Sequence, residues 1–300
     1  MPLPASPPLR PVAILLLCGA LVHGSARSQN AADTLADTQP PEAGAAGQGA
    51  TRAPLWEAGF FAVGGSQQAY PGAKQRVRSA IALPFLVYRG QLVRADEGTV
   101  GVRAARTQNI ELDIGLSGSF GSAASDNDVR RGLPNIGTLV EFGPRLRWNL
   151  GPAPWGGGLR LALPARGVFD ITDGMRFRGV AVEPVLGWGA RTAGGWGYGA
   201  SMGLLLGSRR LGDTFYGVAP AYATATRPAY DARAGLIATR LAFNLSKRLS
   251  TDWRFFAYAR IDTVEGAANR HSPLVDRPTG ASAGLGLSWT WLRSEDPAQP

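Results

Sequence analysis

The chain has 300 residues, a formal net charge of +9 and 45% hydrophobic residues, with 40 Gly and 8 Trp. One Cys and two His exclude an internal disulfide and a metal site built on these two residue types. The 31 basic residues are scattered, which excludes a nucleic-acid-binding stripe. A composition rich in glycine and tryptophan is typical of an all-β chain.

The first 26 residues have the pattern of a cleavable signal peptide. Arg10 provides a positive charge, residues 12–22 are apolar, and small residues precede a cleavage site after Ala26. The apolar run is shorter than the roughly 20 residues that a spanning helix needs, so an N-terminal anchor helix is the weaker alternative. Residues 27–54 contain almost no large apolar side chains and predict a flexible periplasmic tail.

From residue 55 to residue 291 the chain repeats segments in which apolar and polar residues alternate. In one of them, Phe142 and Trp148 fall on one face, while Glu141 and Arg147 fall on the other. This alternation predicts strands, because successive side chains of a strand point to opposite faces. Twelve strands are predicted, at residues 56–64, 77–88, 92–95, 99–103, 109–120, 138–150, 158–168, 179–191, 196–207, 234–246, 252–262 and 281–291.

The lengths of these segments favour a membrane barrel. Most are about 10–13 residues long, enough to cross a bilayer when tilted, and their connections alternate between short and long. We therefore predict an all-β fold, a transmembrane antiparallel up-and-down β-barrel of about 12 strands (alternatively 10), with a C-terminal tail at residues 292–300. A soluble β-sandwich is the competing interpretation. Bulges or breaks are expected at Pro84, Pro144, Pro164 and Pro184, since proline cannot donate to a strand ladder.

Two long connections have distinctive sequences, SDNDVRRGLPN at residues 125–135 and a stretch from FYGV to RPAYDARAG at residues 215–235. Together with YPG at 70–72, YRG at 88–90 and SPLV at 272–275, they make the chain similar to the MipA/OmpV family of outer-membrane proteins. The resemblance covers roughly residues 56–291. The family usually has Met-Pro-Asp where this chain has Leu133-Pro134-Asn135.

The resemblance implies a barrel in the outer membrane of a Gram-negative envelope, in contact with its lipid. It also implies a scaffold that joins a lytic transglycosylase, which cleaves murein, to a penicillin-binding protein, which makes it, or a role at the cell surface. The alternative function is a passive channel for small solutes, anions among them. We expect no enzymatic activity and no cofactor, because the only His outside the signal peptide is His271, and adjacent Ser272 is badly placed to use it.

Two groups of residues are candidates for function. Asp126 and Asp128 could bind calcium, or could pair with the neighbouring arginines, which would oppose a cation. The second group lies on the inward face of the predicted strands, where arginines would either select anions or pair with acids and seal the lumen. The candidate recognition loops contain Asp126, Asp128, Arg130, Arg131, Tyr216, Arg227, Tyr230, Asp231 and Arg233. The candidate lumen residues are Glu141, Arg145, Arg147, Arg166, Glu183, Arg240, Arg254 and Arg260.

Overall fold

The structure, a computed structural model, describes residues 54–89, 93–96, 99–119 and 128–297. The predicted signal peptide, nearly all of the predicted N-terminal tail, and Asp126 lie outside these residues. The described strands are β1 (Trp56–Gln68), β2 (Arg76–Arg89), β3 (Val93–Asp96), β4 (Thr99–Arg106), β5 (Ile110–Ser119), β6 (Leu139–Pro152), β7 (Gly158–Asp170), β8 (Arg176–Val182), β9 (Val185–Arg191), β10 (Trp196–Gly207), β11 (Gly235–Arg248), β12 (Trp253–Thr263) and β13 (Thr279–Arg293).

These strands form a closed antiparallel ring. Consecutive strands pair from β1 to β7, and β10 to β13 continue the order. Strands β8 and β9 both lie between β7 and β10, so together they fill one position of the ring. Pairing of β13 with β1 closes it. The predicted up-and-down barrel is thus confirmed, with 12 strand positions among the described residues.

The outer face of the barrel is apolar. On β6, Phe142 is 53% exposed and Trp148 is 45% exposed, whereas Arg145 on the opposite face is 5% exposed. Phe60 and Leu285 on other strands are likewise exposed. A soluble sandwich would bury these side chains in a core, so that interpretation is wrong; an outer face of this kind is the one that lipid covers.

Strand β2 departs from this regularity. Its outward residues include Pro84 and Leu86, and Leu86 is 61% exposed. Phe85 and Val87 alternate with them and are half-buried, so they lie on the side of the barrel interior. One wall of the lumen near β1 and β2 is therefore apolar rather than charged.

The ladder is interrupted at Pro144 and at Pro184, while Pro164 is paired at the edge of the first gap. The β6–β7 register passes from Phe142↔Gly167 to Arg145↔Pro164 without a pair at the intervening residues, which include Pro144. Pro184 separates β8 from β9, where the sequence predicts a single strand. Pro84 instead lies within continuous β1–β2 pairing.

The two ends of the barrel differ. At one end, here called the terminal end, Leu55 N donates to Asp296 O over 2.8 Å, and the rings of Trp253 and Trp289 stack 6.1 Å apart. At the other, the loop end, lie the connections 69–75, 128–138, 208–234 and 264–278. The third of these contains a short helix, α1 (Arg209–Tyr216), which the sequence did not predict. No helix in the described ranges is long and apolar enough to cross a membrane.

Candidate functional site

The loop-end connections pack together into a lid over the lumen; "the lid" here means residues 69–75, 128–138, 208–234 and 264–278. Its centre is an apolar cluster to which every one of these segments contributes. Because the segments start from distant strands of the ring, packing between them crosses the mouth of the barrel. The buried lid residues of this cluster are Tyr70, Ala73, Ile136, Leu211, Tyr216, Ala232, Val264 and Ala267.

Tyrosine hydroxyls connect the lid segments through backbone oxygens. Tyr70 donates to Leu274 O over 2.6 Å, and Tyr216 donates to Pro71 O over 2.9 Å. Ser272 Oγ in turn donates to Tyr216 O over 2.7 Å. Burial raises the pKa of Tyr216, so its phenol stays protonated and remains a donor. These bonds tie together segments far apart in the sequence.

Arg130 is the most enclosed charge of the lid, with 4% of its surface exposed. Its guanidinium donates to Phe215 O over 3.0 Å and to Pro134 O over 3.2 Å, and lies 5.6 Å from the centre of the Tyr70 ring. Burial lowers the pKa of Arg130, against the opposing effect of Tyr70. The predicted Asp–Arg pairing does not use this arginine among the described residues; backbone oxygens and an aromatic ring surround it instead.

Arg227 plays a similar part on the outer side of the lid. Its Nη1 donates to Val129 O over 3.0 Å and to Arg131 O over 2.9 Å, and its Nη2 donates to Tyr222 O over 2.9 Å. One guanidinium thereby joins the 128–138 segment to the 208–234 segment. Within the 208–234 segment, Tyr230 exchanges two backbone hydrogen bonds with Val218, each over 2.9 Å.

The remaining loop candidates are at the surface. Arg131 pairs with Asp128 over 2.7 Å, but the two side chains are 72% and 89% exposed, so solvent screens the pair. Asp231 and Arg233 are exposed, and no ion pair joins Asp231 to Arg233 or Arg227. The calcium alternative for Asp126 and Asp128 stays a prediction, since Asp126 lies outside the described residues.

Below the lid, the charges of the lumen are paired. Asp113 accepts four hydrogen bonds from Arg145 and Arg147, the shortest 2.6 Å long. Arg166 lies 3.2 Å from Glu141 on the adjacent strand. Asp113 and Arg145 are both about 95% buried, so these pairs are shielded from solvent on the β5–β6 side of the lumen.

A second cluster of charges lies closer to the lid. Arg240 pairs with Glu183 over 2.6 Å and with Asp262 over 3.0 Å. Arg260 also pairs with Asp262, over 2.8 Å. The lumen candidate Arg254 is on the same face of β12 but is exposed at the terminal end, so it does not join this cluster.

A cavity of about 110 Å³ lies between this cluster and the lid. Tyr70 and Phe215 of the lid contribute to its upper wall, and Arg240 and Arg260 to its lower wall. Sequence reasoning missed Gln68, which also contributes to the wall and is 6% exposed. The predicted strand ended at residue 64, whereas the strand in the structure continues to Gln68, so no signal in the sequence indicated this side chain.

Comparison with known proteins gives one family and several similar folds. The sequence model of the family described as MltA-interacting protein MipA matches residues 60–291. No curated protein is significantly similar to the chain. Among solved structures, the NanC porin aligns with a TM-score of 0.39 at 12% identity, covering 77% of this chain and 98% of NanC. A Pseudomonas aeruginosa FadL homologue aligns with a TM-score of 0.30 at 10% identity, covering 79% of this chain and 90% of the homologue.

Proposed function

The chain belongs to the MipA family and is an outer-membrane β-barrel protein, and from this premise we propose that it is a non-enzymatic scaffold for murein machinery or for the cell surface. The observation that supports this proposal is the closed loop end. Four lid segments bind one another through buried arginine and tyrosine contacts, and the charges below them are paired. Such a barrel is a rigid support that presents fixed surfaces at both ends.

The two ends would then serve different partners. In an outer-membrane barrel with both chain ends on one side, that side is periplasmic and the longer loops face outwards. Murein enzymes work in the periplasm and would meet the terminal end, where Trp155 in the β6–β7 turn is 69% exposed. An exposed aromatic side chain in a turn is a typical anchor of a protein interface.

The scaffold proposal is tested by co-purification. The full chain in detergent is mixed with a purified lytic transglycosylase and a purified penicillin-binding protein. We expect both enzymes to be retained, and we expect Trp155→Ala to retain less of at least one of them. The matched control is Trp148→Ala, which alters the lipid-facing wall. Retention no higher than that of an unrelated barrel would reject the scaffold.

The second candidate, a passive channel, receives less support from the geometry. Arginines and acids of the described strands face the lumen together and pair over 2.6–3.3 Å, so these arginines do not form a row of unpaired charges that would select anions. The protein in planar bilayers should therefore show no steady conductance. A steady, anion-selective conductance of the unmodified protein would favour the channel over the sealed barrel.

A further inference from the structure

The cavity beneath the lid contains hydrogen-bonding groups that the protein itself does not use. Arg260 is 7% exposed and contributes to the cavity wall. Its Nε is bonded to Asp262, but Nη1 and Nη2 make no hydrogen bond with any described residue. Both nitrogens keep accessible surface, and the residue that carries them lines the cavity. A buried guanidinium thus presents a free, flat edge of N–H donors.

Further donors lie in the same wall. Arg240 uses Nε and Nη1 for its acidic partners, and its Nη2 has no partner among the described residues. The hydroxyl of Ser201, in a residue 8% exposed, likewise makes no bond within the described chain. A planar pair of oxygen atoms matches the free edge of Arg260, because guanidinium and carboxylate form parallel hydrogen bonds.

One acceptor is available as well. Glu183 uses Oε1 for Arg240 and has no bond to its Oε2 among the described residues. Gln68 Nε2 donates to Ala73 O over 2.7 Å, and Gln68 Oε1 is fully enclosed, so it offers nothing to a ligand. A donor on a ligand would be stabilising beside Glu183 Oε2, because an unmet acceptor in a buried wall is costly.

Charge decides which kind of carboxylate fits. The cavity wall holds three arginines and three acids, so its formal charge is zero; the residues are Arg166, Arg240, Arg260, Glu141, Glu183 and Asp262. A simple anion would leave an uncompensated charge in an enclosed site, whereas a net-neutral ligand would not. Glu183 Oε2 is suited to the ammonium group of such a ligand.

We propose that this cavity is a binding site for a small zwitterionic carboxylate. Its carboxylate would occupy the free edge of Arg260, and its ammonium group would lie towards Glu183 Oε2. The lid would then act as the cover of this site. This inference does not depend on the scaffold, because a barrel can hold a lumenal solute with or without a murein enzyme at its terminal end.

Ligand-observed NMR on the full chain in detergent tests the site, with glycine, acetate and methylammonium as probes, each equilibrated overnight so that the lid can open. We expect saturable binding of glycine, weaker binding of acetate, and none of methylammonium. Arg260→Lys keeps the positive charge beside Asp262 but loses the flat edge, and should weaken glycine binding at least tenfold. Arg254→Lys, on the same face of β12 outside the cavity, is the matched control and should bind as the unmodified protein does.

A second variant is needed in case Arg260→Lys weakens glycine binding only because the barrel misfolds. Ser201→Ala removes one unused hydroxyl and no ion pair, so the barrel should stay intact and glycine binding should weaken severalfold. Saturable glycine binding that falls in Arg260→Lys and Ser201→Ala but not in Arg254→Lys supports the site. Absence of saturable glycine binding, equal binding by Arg260→Lys and the unmodified protein, or acetate binding as tightly as glycine would overturn it.

Discussion

We predict that Arg130 holds the lid closed. Replacing it by Ala removes hydrogen bonds of 3.0 Å and 3.2 Å to the backbone oxygens of Phe215 and Pro134, together with the contact to the Tyr70 ring. Hydrogen bonds to charged groups contribute about 1.5–3 kcal/mol each, and burial of the guanidinium costs part of that gain. Taking the low end gives about 3 kcal/mol, which corresponds to a roughly 150-fold larger open fraction of the lid.

Limited proteolysis measures this fraction. Tyr216 is 1% exposed, so chymotrypsin can cut after it only when the lid opens, and the rate follows the open population if reclosing is fast. Arg131→Ala is the matched control, because its exposed pair with Asp128 contributes at most about 1 kcal/mol and should raise the rate less than about fivefold. If Arg130→Ala raises cleavage after Tyr216 no more than Arg131→Ala does, Arg130 does not hold the lid closed.

Two further predictions concern the lumen and pH. Asp113→Asn removes the carboxylate shared by Arg145 and Arg147 and should destabilise the barrel by about 3–5 kcal/mol. The measurement is the temperature at which the barrel unfolds and its gel mobility changes, which should fall. An unchanged temperature would contradict the pairing. The pKa of Tyr216 is raised in the closed lid, so the closed lid favours the protonated phenol. The contribution of Tyr216 to the stability of the closed lid is therefore fully present below about pH 10, and it falls above that pH by up to about 1.4 kcal/mol per pH unit. Cleavage by an alkali-tolerant protease should therefore rise more steeply with pH in the unmodified protein than in Tyr216→Phe, and equal slopes would contradict this assignment.

The barrel wall could be predicted from the sequence because its signal is local. In β6, the order of Phe142, Arg145 and Trp148 determines which side chains face outwards, and the same rule applies to most other strands. The division of one predicted strand into β8 and β9 was harder to predict. The sequence shows Pro184, but whether proline causes a bulge or a complete break depends on the neighbouring strands.

The lid could not be predicted in this way. Its ties join residues as far apart as Tyr70 and Leu274, and most acceptors are backbone oxygens, which every residue carries. The sequence therefore suggested acids as partners of Arg130, whereas the structure gives it carbonyl groups. The pairing of Asp113 with Arg145 could be predicted in part, because the sequence places both residues on the inward face of adjacent strands. The exact partners depend on the register between β5 and β6, which the sequence does not show.

Buried groups lie at two depths of the barrel, in the lid and below the cavity, and the last prediction concerns their separate roles. Below the cavity lie Asp113, Arg145, Asn244 and Tyr258, all less than 9% exposed. Opening the lid by Arg130→Ala would therefore expose the cavity without creating a continuous pore. We expect this variant to be cleaved faster and yet to show no steady conductance in planar bilayers, whereas a steady conductance would show that the lid alone closes the barrel.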